Sequence, residues 1–463
     1  MTKLNPKLLA NDLLADCEDR TELRYQNNAV RRFSLTAGQV RYNARSDERG
    51  VSARVLRNGV AGFAASPLED PETVRRVLRE AEQNARIIGR YGAAVTDLRP
   101  SGPAYSRELQ DDYEDLEQSY YGEVARKLDA YILKNCPKIK DRVVSIYSDT
   151  VEKILLVSQD CRAHLRTPRS YAYITLMADS NKGDTVEVFE AIGGYGDLRQ
   201  ALPDLEAAYR LIDQMYQQVL DKAQGVSAKA GVHNCILGGT LAGMLAHEAV
   251  GHTVESDLVL GGSVAARLMD QQVASPLINL TDFAHTALGQ TAPLPVYVDD
   301  EGTPAEDVEI IKDGILRSYM HNLETADHFG VRPQGNARAW LYSDEPLIRM
   351  RNTAILPGKD KLEDMIADTE EGYYLISTNN GQADNTGEFM FGISMAYEIK
   401  NGKLGRAVRD TTISGVAFEM LKTVDRVGDQ IAWESNGFCG KKQPMAVGLG
   451  GPALRCRLMM GGE

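Results

Sequence analysis

Val232 to His252 reads VHNCILGGTLAGMLAHEAVGH, and the folding of this stretch decides how the rest of the chain is read. Val232 to Leu237 has the pattern of a buried strand, Gly238-Gly239 that of a tight turn, and Thr240 that of an N-cap for a helix starting at Leu241. Leu241, Ala242, Gly243, Met244, Leu245 and Ala246 leave that helix without a polar face, yet His247, Glu248 and His252 follow at once. Two imidazoles and a carboxylate placed there without partners would be costly, whereas a bound divalent cation compensates the charge and engages both rings. The alternative is a pair of hydrogen-bonded core histidines.

The spacing adds a structural condition. Histidines four apart lie on one face of an α-helix; five apart, at about 100° per residue, they diverge by about 140°. A π-helical turn absorbs one residue and restores a common face. The sequence therefore predicts such a widening between His247 and His252, eased by Gly251.

A zinc site needs a third protein ligand, with a fourth position open if it is catalytic. Cys439 is the best candidate, because the flanking glycines of Asn436-Gly437-Phe438-Cys439-Gly440-Lys441 let the backbone bend toward an internal site. Lys441 and Lys442 would favour its thiolate form. Cys17, Cys136, Cys161, Cys235 and Cys456 read as small core residues. With His247, His252 and Cys439 on Zn2+, Glu248 becomes the general base on metal-activated water, passing the proton to a leaving amine. The chemistry is amide hydrolysis.

The remaining sequence sets the frame. Of 463 residues, 43% are apolar and 25% charged, as in an ordinary globular protein. With 52 basic against 65 acidic residues the net charge is −13, which disfavours nucleic acid as a partner. No uncharged apolar run of membrane-spanning length occurs, and Met1 to Arg20 reads as an amphipathic helix rather than a signal peptide. Six scattered cysteines without a CxxC pair fit a reducing cytoplasm.

Gln39 to Ala44 and Gly50 to Leu56 alternate like strands, with a hairpin turn at Asn58-Gly59. Pro71 to Arg90, Tyr105 to Leu133 and Asp204 to Gln224 have helical periodicity, and Val143 to Leu156 and Tyr171 to Ala178 return to strand patterns. Beyond a break near Gly225 to Gly231, turns at Thr303-Pro304, Lys312-Asp313-Gly314 and Asn401-Gly402 separate apolar segments. The expected fold is α+β: an N-terminal α+β domain over residues 1–225, then a mainly antiparallel, β-rich domain over residues 226–463 that carries the metal-site helix.

Several ordered motifs extend the reading. Arg49-Gly50-Val51, Gly62-Phe63-Ala64, His247-Glu248-Ala249-Val250-Gly251-His252, Val298-Asp299-Asp300-Glu301-Gly302-Thr303-Pro304, Gly335-Asn336-Ala337-Arg338, Arg349-Met350-Arg351-Asn352-Thr353, Thr386-Gly387-Glu388-Phe389 and Phe438-Cys439-Gly440-Lys441 together resemble the TldD branch of the TldD/PmbA family of metallopeptidases. The resemblance covers most of the chain. It implies zinc on His247, His252 and Cys439, Glu248 as the catalytic glutamate, and a cavity enclosed by a dimer. It also implies unfolded or small peptides as substrates and a PmbA-like paralogue, lacking the histidines, as partner; a homodimer is the other arrangement. The chain departs from the family pattern at Thr253 and Ser256, where glycines are expected.

Other features carry weaker readings. The acidic run Asp299-Asp300-Glu301 is read as a turn in preference to a cation site. Gly448 to Gly451 reads as a loop near Cys439, and His321 and His328, seven apart, as helical neighbours without a metal. Asn336 and Arg338 are candidates for bonding substrate backbone. Two rival functions stand beside the peptidase: a non-catalytic peptide- or partner-binding subunit, and a metal-dependent deacylase.

Overall fold

The computed structural model describes residues 4–5, 7–8, 13–15, 17–90, 105–108, 113–158 and 161–462. Nine of the 20 residues in the segment expected to form an N-terminal amphipathic helix lie outside the described residues, and its last residue, Arg20, already opens a strand. The strand and helix content matches the α+β expectation, with two separate large sheets.

Among the described residues the first sheet has seven strands. Its order is Val60–Ser66, Gln39–Arg57, Arg20–Thr36, Asp141–Val157, Cys161–Asp179 and Tyr105–Arg107, with Thr185–Tyr195 also paired to Cys161–Asp179. Asn58 and Gly59 both have positive φ, 50° and 75°, the geometry of a two-residue hairpin turn, so the predicted hairpin forms there. Helix Pro71–Ile88 starts at Asp70, whose carboxylate accepts from the amides of Glu72 and Thr73. It buries Val74, Val77, Ala81 and Ala85 against Leu23, Val51 and Val55.

Helices Gln118–Asn135 and Glu206–Ala223 cover the opposite end, over Val144, Ile146, Ile174 and Leu176. The helix expected from Tyr105 thus begins only at Gln118, and Tyr105–Arg107 is a strand beside Cys161–Asp179. Two acidic residues ahead of it are drawn into other contacts: Asp115 pairs with Arg31, and Glu114 donates its amide to Asp197. Residues 109–112 lie outside the described set.

The second sheet has eleven strands, and its layout places the predicted metal helix. Gly448–Met460, Thr411–Val416, Glu388–Lys400, Glu371–Ala383 and Gly231–Leu237 pair in that order, and Gly231–Leu237 pairs back with Gly448–Met460, closing a five-strand ring. All but two of the sheet's pairings are antiparallel; Gly231–Leu237 with Glu371–Ala383 and Asn352–Ile355 with Gly448–Met460 are the parallel ones. Leu237, Leu241, Leu245, Leu375, Phe391 and Leu454 share one core, each without exposed surface.

Helix Gly239–Leu245 leaves the ring directly and buries Leu241, Ala242, Gly243 and Leu245. Its cap is Gly238 rather than Thr240; no side chain caps it, and the Thr240 hydroxyl turns to the Ile376 carbonyl at 3.5 Å. Gly448 to Gly451 is the start of a strand, not a loop, because the helix lies on it too closely for side chains. A Cβ on Gly243 would sit 2.9 Å from the Gly450 amide nitrogen, and one on Gly239 would sit 2.5 Å from the Gly451 carbonyl. Hairpin turns form at Asp313-Gly314 and Asn401-Gly402, where φ is positive at all four residues.

The two sheets meet through buried charge. The Asp299 to Thr303 segment is the expected turn: Asp299 Oδ1 accepts from the amides of Glu301 and Thr303, with Gly302 at φ 79°. Its other carboxylates receive cations from the first sheet. Lys153 Nζ lies 2.7 Å from Asp300, and Arg54 lies 2.8 Å from Glu301 Oε1, whose Oε2 accepts the Leu323 amide at 2.9 Å. Nearer the metal helix, Arg169 and Tyr171 both donate to the Ser435 carbonyl at 2.7 Å, and Tyr173 donates to that of Asn436 at 3.0 Å. The first sheet thereby grips the segment leading into Cys439. Among the described residues no helix is long and apolar enough to cross a membrane.

Glu301 is fully buried. Its replacement by alanine leaves the Leu323 amide without its acceptor and takes the shorter of two buried carboxylate contacts from Arg54, which keeps Glu22 at 3.2 Å, and is expected to cost about 1–3 kcal/mol. A denaturant titration of Glu301→Ala against the parent chain measures that loss.

Candidate metal centre

The helix widens where the histidine spacing requires it. Ala246–Gly251 is a π-helical turn, followed by a tight 3-10 turn, His252–Val254. The rings of His247 and His252 come to 5.1 Å between centroids, nearly perpendicular at 76°. Gly251 is required by contact as well as by flexibility, since a Cβ there would lie 2.1 Å from Met350 Sδ. At the two positions where glycine was expected, the side chains are used in packing. Thr253 donates to the Val250 carbonyl at 2.7 Å, and Ser256 to that of Met320 at 2.6 Å.

Cys439 arrives from the other end of the chain. It lies in the short strand Phe438–Cys439, paired with Met445–Ala446, and its Sγ is 3.2 Å from His252 Nε2. One donor atom from each of His247, His252 and Cys439 falls within 4.8 Å of the others. His247 is 1% exposed, and neither of its ring nitrogens has a hydrogen-bond partner among the described residues. An orphaned imidazole in an apolar core is a cost that a cation would remove. Two imidazoles and a thiolate are donors that suit zinc, and ligands about 2.0–2.3 Å from one ion lie roughly 3–4 Å from each other.

The electrostatics favour this donor set. Burial alone would raise the Cys439 thiol, but the adjacent His247 and His252 bring it down to about 4. Burial alone would lower His252, but the Glu255 carboxylate and Cys439 lift it to about 10. The sulfur is thus a thiolate because of the two imidazoles, not because of lysine. Lys441 turns its ammonium to Asp257 at 2.8 Å and Glu255 at 3.3 Å, and Lys442 is exposed. Glu248 stays partly open, its Oε2 3.8 Å from His252 Nε2.

The other candidates fall elsewhere. Asn336 and Arg338 spend their donors on the protein itself: Asn336 on Asp282 and the Arg349 carbonyl, Arg338 on the carbonyls of Met350 and Ala446. His321 precedes helix Leu323–Phe329 and does not share a face with His328. Burial lowers it to about 4, and it is bonded to Thr325. Gly448 to Gly451 serves helix packing, and Cys136, Cys235, Cys439 and Cys456 form no disulfide.

The description "PmbA/TldA metallopeptidase C-terminal domain" matches residues 230–462, and "PmbA/TldA metallopeptidase domain 1" matches residues 21–85. A metalloprotease of Methanocaldococcus jannaschii is 31% identical, over 96% of this chain and 97% of its own. The chain belongs to the PmbA/TldD family of metallopeptidases. A relative from Saccharolobus solfataricus, named a zinc metalloprotease TldD homolog, is 27% identical over 95% of this chain and 96% of its own. The fold is that of TldE from Thermococcus kodakarensis, with a TM-score of 0.75 and 16% identity over 98% of this chain and all of that one.

Three residues around this family's motif escaped sequence reasoning. Glu255 stands three positions after His252, a spacing that brings side chains together on a helical turn, and was legible in principle. Asp257 is reached only through Lys441. Arg349 donates to the carbonyls of Cys439, Lys441 and Gln443 at 2.7–2.9 Å, a role that sequence position does not signal.

Gly251→Ala drives a methyl group into Met350 and is expected to destabilise the chain by about 1–3 kcal/mol. In a double-mutant cycle with Met350→Ala the two costs should be less than additive, and equilibrium unfolding reads the coupling.

Proposed function

We propose that this chain is a zinc-dependent peptide hydrolase in which His247, His252 and Cys439 hold the ion and Glu248 is the general base. The observation that carries the reading is the convergence of three donor atoms within 4.8 Å inside an apolar core, one of them from a histidine with no other partner. The zinc in the name of the Saccharolobus solfataricus relative supports the choice of metal.

When bound, zinc would supply a Lewis acid that polarises water and the scissile carbonyl. The chain's own groups do the rest. His252 is held with Nδ1 on Glu255, which leaves Nε2 toward the sulfur. Glu248 cannot share that geometry as a further ligand, because its neighbour His247 is used. Its partly open carboxylate takes the proton from the attacking water and returns it to the departing amine.

The substrates proposed are unfolded or small peptides, hydrolysed in an internal cavity of a dimer, either with a PmbA-like paralogue or as two copies, in the cytoplasm. In this reading residues 1–225 form one domain and residues 226–463 the catalytic one. Open glutamate beside the donors favours an enzyme over a binding subunit, which would need no base.

Glu248→Gln keeps the size of the side chain but cannot accept the proton. The variant should retain stoichiometric zinc while cleavage of an unstructured peptide falls by about 10²–10⁴-fold. Equal cleavage by both proteins would remove Glu248 from this role. Mass spectrometry of the products separates internal peptide cleavage from deacylation.

A further inference from the structure

We infer that Glu255 and Lys441 form a positioning bridge that assembles the His252–Cys439 pair independently of the ion. The inference rests on the proposed metal site and adds to it the residues that set its geometry.

Glu255 has no exposed surface. One of its oxygens, Oε2, lies 2.8 Å from His252 Nδ1 and 3.3 Å from Lys441 Nζ. A buried carboxylate is costly unless paired, and these two groups are its partners. Its backbone is equally fixed. The flanking Val254 carbonyl and Ser256 amide bond with Met320 at 3.0 and 3.1 Å, so the carboxylate cannot follow a wandering ring.

Lys441 stands two residues beyond Cys439 and completes the bridge from the loop side. Its ammonium also reaches Asp257 at 2.8 Å and the Ile348 carbonyl at 3.1 Å, with the side chain 9% exposed. Arg349 fixes the same loop through three carbonyls, that of Cys439 among them. Helix end and cysteine loop are therefore joined by a charged contact that does not pass between the three donor atoms.

Two consequences follow for the site. With Nδ1 engaged by Glu255, His252 presents only Nε2, which fixes which nitrogen is available and the plane of the ring. With Lys441 drawn to the same carboxylate, the loop keeps Sγ 3.2 Å from that nitrogen. Glu255 and Lys441 are positioning residues, acting through His252 and Cys439.

The test measures zinc affinity of the full-length chain by chelator competition, beside Glu255→Gln, Lys441→Met and Cys439→Ser, and records the absorption spectrum of each protein loaded with cobalt. Glu255→Gln and Lys441→Met should each weaken zinc binding 10–100-fold. They should also shift the cobalt bands, including thiolate-to-cobalt charge transfer, which a general loss of stability would leave in place. If both variants bind zinc like the parent and give its cobalt spectrum, the bridge has no positioning role. If Glu255→Gln does not fold, Lys441→Met alone decides by the same two readouts. Cys439→Ser separates the two levels: parent-like zinc affinity and cobalt spectrum there would overturn the metal site itself, and the bridge with it.

Discussion

The contact between Cys439 Sγ and His252 Nε2, 3.2 Å across 187 residues of chain, is the constraint on which the rest of the centre depends. Neither partner would carry a charge if buried alone. A thiol in an apolar setting stays protonated and inert, and an imidazole there loses its charge. Together, with Glu255 acting most strongly on the ring and His247 on the sulfur, they shift in opposite directions, the sulfur toward thiolate and the ring toward imidazolium. Such a pair is poised to exchange its proton for a cation, which is why donor geometry and electrostatics agree here.

Holding that contact requires rigidity at both ends. The helix end is anchored by a closed ring of strands, with Gly239 and Gly243 set against the glycine-rich start of Gly448–Met460. The cysteine loop is held by Arg349 from within the second half and, just upstream, by Arg169, Tyr171 and Tyr173 from the first sheet. Many of these supports are buried charges. Arg349, Glu255 and Glu301 have no exposed surface. Pairs of this kind contribute little net stability, but they tolerate few alternative arrangements, because any shift leaves a charge without its partner.

The local elements were largely legible in the sequence because their signals are local. The apolar period from Pro71 and the turn pairs Asn58-Gly59 and Asn401-Gly402 each specify an element within a few residues, and the structure places them there. The π-helical turn was legible too, since two histidines five apart can meet in no ordinary helix. Failures occurred where distant groups outweighed local pattern. The helix expected from Tyr105 starts late as acidic residues ahead of it are drawn to Arg31 and Asp197; Thr240 gives up capping; and Gly448 to Gly451 becomes strand because a helix must lie on it.

The sequence by itself determined the chemistry: residue types at His247, Glu248, His252 and Cys439, and a helix too apolar to carry them without compensation. What only the tertiary structure decided was their company. Lys441, read as a partner of the sulfur, faces Glu255 and Asp257; Asn336 and Arg338, read as candidates for substrate, are spent on the scaffold. The reason is range. Helical period and turn preference act over a few residues and are written in order along the chain, whereas a buried charge takes whichever partner the fold brings within about 3 Å, and sequence distance does not encode that.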